Sequence, residues 1–137
     1  MDIKAVLDYK KSQIINLMLE KGVQPEELTE NIWNDLYKTI NIGRVEDSII
    51  CSLTFVENNS EIKMNYIYNS DKILIRIEEI LDLKTTILWD RKLKLQELIN
   101  DLCEFLRINY SENKVQKVLN TFPEEIKKII QSKEKIA

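Results

Sequence analysis

The sequence predicts an α+β fold: a four-stranded antiparallel meander flanked by two N-terminal and three C-terminal helices. Three observations predict it. Apolar residues recur at helical spacing up to about Asp47 and again after Asp90. Between those points the spacing drops to two, the period of a strand. The polar clusters Asn58-Asn59-Ser60 and Asn69-Ser70-Asp71 interrupt that region, and connections so short join antiparallel neighbours.

The first helix shows as the stripe Ile3, Val6, Leu7, Ile14, Leu17 and Met18, with Lys4, Asp8, Lys11 and Glu20 off it. Gly22 stands where a helix stops. Pro25 opens a second helix, with Glu26 and Glu27 in its positive first turn. Leu28, Ile32, Leu36 and Ile40 give it an i, i+4 stripe flanked by Trp33 and Tyr37, and Asn41 and Gly43 close it. The first strand is expected over 48–57, with Ile49, Cys51, Leu53 and Phe55 on one face and Ile50, Ser52, Thr54 and Val56 on the other. The second spans 61–69, with Ile62, Met64, Tyr66 and Tyr68 aligned. Ile73, Ile75 and Ile77 mark the third. The fourth runs from about Leu83 to Trp89, after a tight turn near Asp82. Asp90 is a good N-cap for a third helix carrying Leu95, Leu98, Ile99, Leu102 and Leu106. Ser111 caps a fourth with Val115, Val118 and Leu119. Pro123 ends that one and opens the last, with Ile126, Ile129 and Ile130 inward. The polar tail from Gln131 to Ala137 is expected to fray.

Length and composition predict a single α+β domain over residues 1–137. There is no histidine, and the two glycines, Gly22 and Gly43, lie far apart. Ser-His-Asp and Cys-His catalysis and most zinc sites are thereby excluded, as is a Gly-rich phosphate cradle. No cofactor and no metal are expected. The net charge of −3 and the scarcity of arginine (Arg44, Arg76, Arg91 and Arg107) weigh against a nucleic-acid partner. Richness in Ile, Lys and Asn suits an AT-rich bacterial or phage genome. Cys51 and Cys103 sit in apolar runs and are expected to be free thiols. Met1-Asp2-Ile3-Lys4 leads into helical spacing without an apolar signal core, and no apolar run approaches membrane-span length. A cytoplasmic location with no membrane partner is the expectation.

Several constellations that could carry chemistry are better explained without it. Met18, Gly22, Val23 and Leu28 have helix-turn-helix spacing, but Glu26, Glu27, Glu30 and Asp35 on the would-be reading helix repel phosphate. Asp47 with Glu61-x-Lys63, and Asp71 with Asp82-x-Lys84, resemble the carboxylate and lysine spacing of metal-dependent nucleases. The spacing is common by chance, and in a simple hairpin Asp47 begins one strand and Glu61 the next, at opposite ends of the ladder. Glu78 and Glu79 are strand neighbours and face opposite ways. Tyr66, Tyr68 and Trp89 could stack bases, but the two tyrosines share the core face of Ile62 and Met64. Lys127, Lys128, Lys133 and Lys135 are balanced by Glu124, Glu125 and Glu134, as on a solvated face.

The second sheet face is too apolar to be fully solvated. It offers Ile50, Val56, Ile67, Leu74 and Leu88 among Lys63, Asn65, Arg76 and Glu78. Internal cover by helices is the favoured expectation there, a partner the other. The function expected is that of a small non-enzymatic protein-binding module, such as an immunity protein, an inhibitor or a chaperone. Its partner would be another protein, a toxin or secreted effector, or a second copy in a homodimer. Ile67, Leu74, Arg76 and Leu88 are the expected contact residues, because interface cores are apolar with arginine enriched. Nucleic-acid binding is the alternative, and a Mg²⁺-dependent nuclease a more distant one.

Overall fold

A computed structural model describes residues 2–136, with side chains described through Ile130. The chain is α+β, with an antiparallel sheet and, among the described residues, five α-helices. In order these are α1 (Ile3–Leu19), α2 (Pro25–Thr29) followed by a 3-10 turn (Glu30–Trp33), β1 (Tyr37–Val45), β2 (Ser48–Glu57), β3 (Ser60–Tyr68), β4 (Leu74–Leu81), β5 (Lys84–Asp90), α3 (Arg91–Asn109), α4 (Glu112–Leu119) and α5 (Glu124–Ile136). The sheet has five strands in the order β1-β2-β3-β4-β5, not the four expected. Helical backbone continues to Ile136, past the point where fraying was expected; the side chains of that tail and Ala137 lie outside the described residues.

The additional strand is β1, which the i, i+4 pattern of Leu28 to Ile40 assigned to a helix. Local polar groups explain the difference. Asn31 Nδ2 donates to the Leu28 carbonyl at 3.0 Å, and Asn34 Oδ1 accepts from the Leu36 N–H at 3.0 Å. Such side-chain bonds compete with the helical ladder and end it. Beyond them Thr39, Ile40, Ile42 and Val45 are β-branched, and a strand suits them better than a helix. A two-residue loop, Glu46-Asp47, then pairs Val45 with Ser48, and Glu46 takes a left-handed φ of 55°.

The chain forms two compact units. The first comprises residues 1–18 and 95–137, and the second 19–94. In the helical unit, α1 contributes Leu7 and Ile14, α3 contributes Ile99, Leu102 and Leu106, and α4 adds Val115, Val118 and Leu119. Phe122, in the turn between α4 and α5, and Ile126 and Ile130 complete this core, the two isoleucines at the helical spacing read from the sequence. Ser111 caps α4 by accepting from the Lys114 N–H at 3.4 Å. Lys10 lies 5.8 Å from the Phe105 ring centroid, a cation–π contact.

The sheet unit has a smaller core of Leu28, Cys51, Leu53, Tyr68 and Leu74. The segment before the sheet is tied to it by three polar contacts. The Leu74 N–H donates to the Lys21 carbonyl at 2.8 Å, Gln24 Nε2 to the Lys72 carbonyl at 3.1 Å, and the buried Tyr68 hydroxyl to the Val23 carbonyl at 2.5 Å. Gly22 makes the approach possible. Its φ is +85°, and a Cβ there would lie 2.8 Å from Leu74 Cβ.

Candidate protein-binding surface

Cross-strand pairing sorts the sheet residues onto two faces. Ile49, Cys51, Leu53 and Phe55 stand opposite Tyr68, Tyr66, Met64 and Ile62, as expected, and Ile77 and Trp89 continue that face across β4 and β5. On the other face, Ile50 is opposite Ile67, Ile67 opposite Arg76, and Glu78 opposite Ile87. Ser52 Oγ donates to Asn65 Oδ1 at 2.6 Å on the same face.

Two of the four expected contact residues come together there: Ile67 and Arg76 are direct cross-strand partners, both half-buried. The other two do not join them. A register shift between Ile67 and Tyr68 pairs Tyr68 with Leu74, which turns Leu74 into the core at 4% exposure. A second shift, between Ile77 and Glu78, pairs Ile77 with Trp89 and Glu78 with Ile87, so Leu88 has no cross-strand partner and stands 50% exposed on the outermost strand. A single-residue bulge reverses the alternation beyond it, and nothing in a period-two pattern announces one.

Arg76 is engaged within the sheet. Its Nε donates to Asp90 Oδ2 at 3.1 Å, and a terminal nitrogen lies 3.5 Å from Glu78 Oε1. The pairing with Asp90, against some desolvation, raises the guanidinium pKa. Asp90 also caps α3, its Oδ1 accepting from the Leu93 N–H at 3.1 Å. Burial opposes its charge, but the Leu93 and Lys92 N–H groups and Arg76 outweigh that and hold the carboxyl below its usual range. The Arg91 guanidinium stacks on Trp89, 5.2 Å from the ring centroid, and its Nε donates to the Leu74 carbonyl at 2.7 Å. Burial pushes the Cys51 thiol and the Tyr66 and Tyr68 hydroxyls up, which keeps all three protonated at neutral pH.

The most exposed aromatic residue was not singled out by its spacing. Trp33 is 83% exposed at the end of the 3-10 turn, and Ile32 and Leu36 beside it are also exposed. Glu30 and Asp35 border these three, both in water. The stripe Leu28, Ile32, Leu36 and Ile40 suggested a buried helix face; the cluster Asn31, Asn34 and Asp35 was the signal that this face never forms.

The remaining sequence constellations are dispersed. Asp47 lies in the β1–β2 loop and Glu61 next to the β2–β3 turn, with the length of β2 between them. Asp71 and Asp82 lie at opposite ends of β4. At about 3.3 Å per residue, neither pair converges. Among the described residues no group of three or more Cys, Asp or Glu could hold a metal ion. With α2 only five residues long, the would-be reading helix of a helix-turn-helix is absent from 25–40. Tyr66 and Tyr68 pack on the core side of the sheet. Cys51 and Cys103 are thiols outside any disulfide, the first buried and the second half-buried. No described helix is long and apolar enough to cross a membrane. No family model, curated protein or solved structure matches this chain.

Proposed function

We propose that this protein acts by binding another protein and performs no catalysis, as an immunity protein, an inhibitor or a chaperone does. The observation that carries the reading is Trp33, 83% exposed between the exposed Ile32 and Leu36. Tryptophan is among the residues enriched at the energetic anchors of protein interfaces. Water alone gives no reason to hold such a group out, since covering it would gain about 2 kcal/mol or more. The acidic rim, Glu30 and Asp35, favours a basic partner and would hasten its encounter. Ile67 and Arg76 on the second sheet face are a further contact candidate, and Leu88 at the β5 edge another.

Capture from nuclease-treated lysate of the source cell, with wild type and Trp33→Ala side by side, tests the reading. The expected result is one protein retained in stoichiometric amount by wild type and weakened about thirtyfold or more by the substitution, the loss typical of an interface anchor. Equal retention by both forms, or retention of nucleic acid alone, would contradict it. The latter would favour the nucleic-acid alternative.

A further inference from the structure

A cleft in the helical unit gathers four lysines that the sheet surface does not involve. Lys4 and Lys11 from α1 and Lys114 and Lys117 from α4 line a cavity of about 530 Å³. Leu7 and Val118, both buried, supply its apolar lining. Two helix spacings produce the cluster. Lys4 and Lys11 are seven apart and share one face of α1, and Lys114 and Lys117 are three apart on α4. No ion pair among the described residues holds any of the four, although Lys127 pairs with Glu124 nearby in sequence at 3.5 Å. Among the described residues Asp8 is the one carboxylate lining the cleft, so their balance there is positive in a chain whose net charge is −3.

We propose that this cleft binds a compact polyphosphate group, the triphosphate of a small molecule. The volume lies within the range of small-molecule sites. Among the described residues the cationic groups of the lining are all lysines, which serve phosphate as mobile point charges, and none is an arginine, whose fork grips a peptide carboxylate bidentately. Lysines from two helices line the one cleft, so a multivalent anion there can engage several of them at once. The site is independent of the Trp33 patch and stands or falls separately from it.

Isothermal titration of the full chain at low and moderate salt provides the test, with sodium tripolyphosphate, ATP and orthophosphate as probes. Saturable one-to-one binding of tripolyphosphate is expected, weaker for orthophosphate and weaker for both as salt rises. ATP binding more tightly than tripolyphosphate would identify a nucleotide as the source of the phosphates; equal affinity would identify the phosphate chain alone. The double variant Lys114→Gln, Lys117→Gln should lose tripolyphosphate affinity at least about tenfold, because hydrogen bonds to charged groups are of that size. Both positions are exposed on α4 and glutamine keeps helix propensity, so circular dichroism should be unchanged. Lys72→Gln and Lys84→Gln, in the sheet unit, should change nothing. Absence of saturable binding, equal affinity in the α4 double variant, or tighter binding of a single-stranded oligonucleotide than of tripolyphosphate would overturn the proposal.

Discussion

At the scale of single residues, Asp90 joins the sheet to the helix that follows it. One carboxylate oxygen caps α3 through the Leu93 N–H, and the other meets Arg76 on the neighbouring strand. Asp90→Ala should cost about 1–2 kcal/mol at neutral pH, the usual value of an N-cap with an ionic partner. The pH dependence follows from the direction of the shift. The folded-state pKa is lowered, so the contribution is complete above the ordinary carboxylate value and lost as pH falls through the folded one. Urea denaturation of wild type and variant should therefore show a clear stability gap at pH 7 that narrows as pH falls below the ordinary carboxylate range. A gap that persists in acid would mean the ionised carboxylate is not its source. Gly22, by contrast, acts through space alone: its left-handed φ and its closeness to Leu74 leave no room for a side chain.

At the scale of elements, the edge strand β1 and the β4–β5 hairpin carry residues that local stability does not favour. Gly43 lies inside β1 with nothing within 4 Å of a would-be Cβ. Leu83, wholly exposed, holds a left-handed φ of 64° in the loop after β4, where glycine would be unstrained. Gly43→Thr and Leu83→Gly should each raise stability by about 0.5–1 kcal/mol, measured as a shift of the urea midpoint. No gain at Gly43 would argue against an extended conformation there and against β1 itself. The legibility of the fold follows the same physics. β2, with its strict alternation and polar flanks, was readable to the residue, and the caps Asp90 and Ser111 were visible as isolated polar residues before apolar stripes. β1 was hidden because Leu36 and Ile40 satisfy both the helical and the strand period. Leu74 and Leu88 were misplaced because bulges change register without changing composition. Of the surface residues, Ile67 and Arg76 followed from alternation alone, whereas Trp33 depended on where a helix ends.

At the scale of the whole molecule, two features organise the chain: separate apolar cores in its two units, and unequal charge. The sheet unit, residues 19–94, holds fourteen acidic against ten basic residues, and the acidic rim of Trp33 belongs to it. Its buried apolar residues, Leu28, Cys51, Leu53, Ile62, Tyr68 and Leu74, are few for a unit of that length, and small cores are marginal by themselves. We expect the chain to unfold by heat in a single calorimetric transition, as one domain does. Two resolved transitions would instead define two domains. The central claim is that the Trp33 surface is made for a protein partner. It is tested most directly by a photo-crosslinking amino acid placed at position 33 in the living source cell, with position 57 as an exposed control on the same sheet unit. The account predicts a discrete adduct with one protein at position 33 that is absent at position 57. Identical adducts at both positions, or none at position 33, would contradict it.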